Sequence, residues 1–133
     1  MASKTVQLSQ SRNSGISGKA TFTDTKGGVR VVLSMKNLSM NMEKPGTQHL
    51  AHIHQPGTCG DDRAGKGAPV QYPLKPLFTE KNGNGTSTTV IKGITVSRLF
   101  SGAPKYVNVH AMKKGNGVPP GVSCGDISNI LGG

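Results

Sequence analysis

Apolar and polar residues alternate along most of this chain, which is the pattern of strands that bury one face. In the third alternating run, for example, Val29, Val31 and Leu33 share a face. The strand-like runs are 6–8, 16–22, 29–35, 50–54, 77–79, 86–91, 105–110 and 122–127, and 94–100 is a further extended or irregular piece. No stripe of helical period appears. Seven or eight short strands with frequent turns predict an all-β sandwich or barrel.

Turn residues mark the connections between these runs. TDTKGG at 23–28 predicts a turn, and the repeated Asn-Gly of KNGNG at 81–85 predicts a hairpin whose returning strand follows. Residues 39–48 form a polar connection, and 55–76, rich in Gly, Pro and charge, are expected to be a loop. With 133 residues, no repeats and no linker, the chain is expected to form a single domain over 1–133.

The chain has few hydrophobic residues for its core, so a disulfide is expected to add to its stability. Hydrophobic residues make up 33% of the chain and aromatic residues 4%, and the two cysteines, Cys59 and Cys124, permit one bridge. Such a bridge would stabilise the fold by roughly 4 kcal/mol through the size of its loop, and it would indicate an oxidising compartment. The alternative is two free or buried thiols. The start MASKTVQLSQ has no apolar core of a signal peptide, so it is either a cytosolic N-terminus or that of a trimmed mature protein.

The formal net charge is +10, from 16 basic and 6 acidic residues. This charge is compatible with solubility, with adhesion to an anionic surface, or with attraction of a small anion to a site. A nucleic-acid partner is not expected, because the basic residues are scattered and few aromatic residues accompany them. No apolar run reaches the length of a transmembrane segment.

Three of the four histidines are candidates for a metal site. His52 and His54 are two apart in one strand and therefore share a face, and His110 ends a second strand. If Val107 and Val109 face the core, His110 lies on the outer face, as His52 and His54 do. Three neutral imidazoles suit copper, zinc or nickel, and copper has the highest intrinsic affinity among the divalent ions. The alternative is that these histidines only form hydrogen bonds.

The motifs around these histidines resemble those of the Cu,Zn superoxide dismutase superfamily. H-L-A-H-I-H at 49–54 is followed by a cysteine, and V-N-V-H at 107–110 precedes V-S-C-G-D-I at 122–127. The resemblance extends over 4–127 and implies a Greek-key β-barrel of about eight antiparallel strands. It also implies roles for the copper ligands His52, His54 and His110, the structural His49, and the disulfide partners Cys59 and Cys124. TEKNGNGTSTTVIKGI and the VNVHA strand are similar to CHRD domains as well.

The chain departs from the superfamily pattern at the second metal and at the anion-guiding arginine. Where the superfamily has the histidine that bridges copper and zinc, residues 68–70 read Ala-Pro-Val, and no zinc ligand set is present in the sequence. The superfamily's active-site arginine falls at Gly121. Arg63 and Arg98 are candidates to replace it, and the sequence places neither beside the histidines.

These features predict a copper-binding, superoxide dismutase-like protein without a zinc site. An active copper-only superoxide dismutase, with superoxide or another small anion as its substrate, is the alternative, and a CHRD-like structural or binding module is a third hypothesis. The expected location is extracytoplasmic (periplasmic, cell-surface or secreted), with any signal peptide removed.

Overall fold

Eight antiparallel strands form one sheet that curls into a nearly closed barrel. The computed structural model describes residues 2–41, 43–112 and 119–127. The strands are β1 (Ser3–Gln10), β2 (Ser17–Thr25), β3 (Gly28–Lys36), β4 (Gln48–His54), β5 (Val70–Phe78), β6 (Gly85–Lys92), β7 (Lys105–Met112) and β8 (Gly121–Ile127). Two short helices, α1 (Cys59–Arg63) and α2 (Val96–Leu99), and a 3₁₀ turn (Leu38–Asn41) lie between them.

The strand order is β5-β4-β7-β8-β1-β2-β3-β6. Because β6 pairs with β3, and β7 crosses back to pair with β4, the connections are those of a Greek key. The two edge strands, β5 and β6, face each other across the remaining gap, where the Lys75 amide donates to the Thr89 hydroxyl at 2.8 Å. The predicted all-β barrel of about eight antiparallel strands is confirmed.

The inner face of the barrel holds the hydrophobic core. Ala51 and Ile53 of β4, and Val107 and Val109 of β7, have no exposed surface and belong to this core. Their neighbours in sequence therefore point to the outer face, as strand alternation requires. The largest fully buried members of the core are Leu8, Ile16, Phe22, Leu33, Met35, Leu38, Ile53, Leu77, Leu99 and Ile127.

The segment 55–76 is not a continuous loop, contrary to the sequence prediction. It contains α1, which Thr58 caps with a reciprocal hydrogen-bond pair to Asp61, and most of β5. Pro73 and Pro76 lie within β5, and a proline cannot donate to a strand ladder. These prolines are accommodated because β5 is an edge strand, and they hid it in the sequence.

Two further predictions were wrong in detail. The piece 94–100 is not extended, because Thr95 caps α2 by accepting a hydrogen bond from the Arg98 amide. The KNGNG segment does turn the chain, with the Glu80 amide donating to the Asn84 carbonyl at 2.8 Å. The strand that follows, β6, pairs with β3 and not with β5. The turn therefore connects the two edge strands of the sheet and does not close a hairpin.

A disulfide between Cys59 and Cys124 joins α1 to β8. The bond links residues 65 positions apart, with a Cα–Cα distance of 5.9 Å. It fastens the connection between β4 and β5 against the outer face of the sheet, next to Tyr106. Within the described ranges, no helix has both the length and the apolar character needed to cross a membrane.

Candidate metal centre

Three histidines meet on the outer face of the barrel. His52 and His54 project from β4, and His110 projects from the neighbouring strand β7. One ring nitrogen from each lies within 4.8 Å of the other two. His54 and His110 are buried, whereas His52 is half-buried and leaves one side of the cluster open to solvent.

The ring of His54 is held in one orientation by its neighbours. Its Nδ1–H donates to the Ala68 carbonyl at 2.8 Å, and the Tyr106 ring stacks on it at a centroid distance of 4.9 Å. The Tyr106 hydroxyl in turn accepts a hydrogen bond from the Ala68 amide. The remaining nitrogen, Nε2, is buried and has no partner among the described residues. A buried, unpartnered ring nitrogen beside two other imidazoles is suited to bind a metal ion.

His110 and His52 present their nitrogens to the same point. The Nδ1–H of His110 donates to the Pro119 carbonyl at 2.8 Å, which leaves its Nε2 to form a hydrogen bond with His52 Nδ1 at 3.0 Å. Two imidazole nitrogens bound tetrahedrally to one ion at 2.0–2.1 Å lie about 3.3 Å apart. The spacing of this pair is close to that value and the third histidine offers a nitrogen within 4.8 Å, so the three residues could hold one transition-metal ion.

Burial favours the neutral form of His52 and of His110, which is the form that binds metals. Desolvation, together with the proximity of His110 and His54, lowers the pKa of His52 from 6.5 to about 4. Desolvation also lowers the pKa of His110, although its hydrogen bond to Pro119 opposes this effect.

The metal-free protein is therefore expected to lose stability as the pH falls from 6.5 towards 4. In this window the unfolded chain carries a proton at His52 that the folded chain lacks, so acid favours unfolding. Urea unfolding of metal-free protein at several pH values measures the effect, and His52→Gln is expected to show a shallower pH dependence. An equal pH dependence in both proteins would contradict this explanation.

His49 lies outside the cluster and connects it to the barrel. Its Nδ1–H donates to the His110 backbone carbonyl at 2.8 Å, and its Nε2 is hydrogen-bonded to Glu43 Oε1 at 2.7 Å. Thr79 donates a further hydrogen bond to the same carboxylate oxygen. Both side chains of the pair are almost fully buried. Glu43 could not be identified from the sequence, since an isolated glutamate in a polar connection carries no pattern.

Two positions at which the sequence departs from the superfamily pattern, Val70 and Gly121, pair with His54 and His110 respectively. Val70 pairs with His54 in the register of β4 and β5 and is 49% exposed, so an apolar side chain that cannot bind a metal lies next to His54. At Gly121, a Cβ atom would lie 2.4 Å from the Asn108 side-chain oxygen, so a larger residue there would require the Asn108 side chain to shift.

The arginine near the cluster is Arg12, which the sequence analysis did not consider. Its guanidinium donates to the Gly121 carbonyl at 2.9 Å, and its charge lowers the pKa of His110. Of the two candidates named from the sequence, Arg98 lines a separate cavity with Lys26, and Arg63 lies at the exposed end of α1. Sequence separation hid Arg12, because the contact spans 109 positions.

The chain is similar to known proteins in its fold. No protein-family model matches the sequence, and a search of curated proteins finds no match either. Among solved structures, it is similar to the Cu/Zn superoxide dismutase from Brucella abortus, with a TM-score of 0.58 and 17% sequence identity. The alignment covers 96% of this chain and 100% of that one. The chain thus has a superoxide dismutase-like β-barrel fold, with three histidines on its outer face that could hold a metal ion.

Proposed function

We propose that His52, His54 and His110 bind a single copper ion and that the protein has no zinc site. The observation that carries this proposal is the convergence of three ring nitrogens within 4.8 Å. In His54 and in His110, Nδ1 is hydrogen-bonded to a backbone carbonyl, so Nε2 is the ring nitrogen that would bind the metal. His52 would contribute Nδ1, which faces His110.

Copper is proposed over zinc on the chemistry of the donor set. Imidazole suits both metals, and copper has the higher intrinsic affinity for a nitrogen site. Three imidazoles without a carboxylate also form a neutral site that suits the singly charged cuprous ion. Zinc with three histidines and a water is the competing assignment, and direct competition decides between them.

The residues around the cluster determine how it would work. Tyr106 and Ala68 fix the ring of His54, Pro119 fixes that of His110, and the half-buried His52 leaves room for a small ligand to approach. A bound copper ion would supply one-electron redox chemistry. Since Val70 stands opposite His54, no fourth imidazole is available there to deliver a proton, and protons would come from solvent.

The second candidate function is dismutation of superoxide by this copper site. It is favoured by the open side at His52 and by the net charge of +10, which attracts small anions. The disulfide is compatible with an extracytoplasmic location, where such a bond persists.

The test begins with protein purified without added metal and then titrated with copper or zinc. We expect one copper per chain, retained against an equal concentration of zinc, with nitrogen couplings from imidazole in the electron paramagnetic resonance spectrum. A superoxide assay of the copper-loaded protein follows. Copper bound without activity supports a binding or storage role, and activity that decreases with ionic strength supports dismutation. Absence of tight copper would refute the proposal and favour the CHRD-like binding module.

A further inference from the structure

We infer that Arg12 is an anion-binding residue of the metal centre, placed beside His110 by the loop between β1 and β2. The inference rests on the proposed copper site, and it assigns to that site a ligand class, small monovalent anions. Arg12 lies in the loop between β1 and β2, whereas the three histidines lie in β4 and β7.

The first support is the position of the guanidinium. Arg12 Nη1 donates to the carbonyl of Gly121, and Gly121 is the residue of β8 that pairs with His110 in β7. The positive charge of Arg12 is therefore one strand from a proposed ligand, on the side where β8 meets α1, in the connection between β4 and β5.

The second support is the way the guanidinium is fixed. Besides the bond to Gly121, Arg12 donates to the Asp62 side chain at 3.2 Å and to the Asp62 backbone carbonyl at 3.0 Å. Asp62 belongs to α1 and Gly121 to β8, the two elements that the disulfide joins. The elements that carry Asp62 and Gly121 are thus cross-linked to each other, so the guanidinium of Arg12 is held in place in the absence of a bound anion.

The third support is the backbone of the loop. Arg12 and Asn13 both have positive φ angles, 55° and 56°, a conformation that costs a non-glycine residue about 1–2 kcal/mol. The loop is tied to β8, because the Ser11 amide and the Ser14 hydroxyl both donate to the Val122 carbonyl. This turn directs the side chain of Arg12 over β8.

The guanidinium also retains capacity for an anion. It has five N–H groups, of which the three hydrogen bonds described above use three. Its side chain is 38% exposed. Only one of its three bonds goes to a carboxylate oxygen, so the Asp62 carboxylate offsets the charge without being the sole anchor.

The test is a titration of the copper-loaded protein with azide, followed by the visible and electron paramagnetic resonance spectra. Arg12→Ala is expected to weaken azide binding about 10- to 100-fold, the range for loss of a charged hydrogen bond. Arg12→Lys is expected to lie between this variant and the unmodified protein. Arg63→Ala removes an equal charge from the exposed end of α1 and is expected to change azide affinity less than about twofold.

Asp62→Asn separates anion binding from a purely structural role. Both Asp62→Asn and Arg12→Ala break the ion pair, so a structural role would change azide affinity in the same direction. We expect opposite directions, because Asp62→Asn removes a negative charge while the two backbone carbonyls still hold Arg12.

Copper stoichiometry, measured first in every variant, distinguishes failure of this inference from failure of the proposed function. One copper per chain with azide affinity unchanged in Arg12→Ala would overturn the role of Arg12 and leave the copper site standing. Weaker azide binding in Asp62→Asn would also overturn it. If the unmodified protein binds no copper, both the site and this role are refuted.

Discussion

Replacing His110 with alanine is expected to lower the affinity for copper by more than about 100-fold while the barrel stays folded. Removal of a residue that only orients a ligand already costs 10- to 100-fold in affinity, and loss of a ligand costs more. The fold is retained because the core lies on the opposite face of β7, in Val107 and Val109. Competition with a chelator of known copper affinity measures the loss.

His49→Ala is the matched control, because it removes the one histidine that lies outside the cluster. It leaves the Glu43 carboxylate buried without its partner, which is expected to destabilise the protein by about 3–5 kcal/mol. At a temperature where this variant is folded, it still binds one copper. His110→Ala is therefore expected to lose copper affinity and stay folded, whereas His49→Ala is expected to lose stability and keep its copper. Tight copper binding in His110→Ala would exclude His110 as a ligand.

Replacing both Cys59 and Cys124 with serine is expected to lower the free energy of unfolding by about 4 kcal/mol. The bond closes a loop of 65 residues, and the chain entropy that it removes from the unfolded state sets this magnitude. Both sulfur atoms are buried, so part of the loss also comes from placing hydroxyl groups beside Tyr106. Urea unfolding of the variant and the unmodified protein gives the difference.

Reduced, unmodified protein is the control for this prediction. It keeps both cysteine side chains and lacks only the cross-link, so its stability isolates the effect of the loop. If reduction lowers the free energy of unfolding by less than about 1 kcal/mol, the connection between β4 and β5 is held by other contacts. One such contact is the hydrogen bond from the Cys59 amide to Asp126 at 2.8 Å.

The fold was readable from the sequence wherever one strand face is buried. Alternation in β4 and β7 gave the faces correctly, because Ala51, Ile53, Val107 and Val109 all enter the core. The prediction failed at β5, since an edge strand tolerates prolines that a central strand would not. It failed again at α2, whose four residues are too few to show a helical period.

The candidate site was readable only as far as its histidines. His52 and His54 are two positions apart in one strand, and His110 ends a second strand-like run, so their grouping followed from the strand pattern and the resemblance. Glu43 and Arg12 carry no such signal. Their roles depend on tertiary contacts, to His49 and to Gly121, that no local pattern encodes.

The alternation of β4 and β7 has a consequence for how this protein could change over evolutionary time. One face of each strand closes the barrel and the other carries the histidine cluster, so substitutions at the two faces act on separate properties. A ligand can be lost, or an arginine supplied from another loop, without disturbing the residues that drive folding. The chemistry of the outer face is therefore free to diverge while the barrel beneath it stays the same.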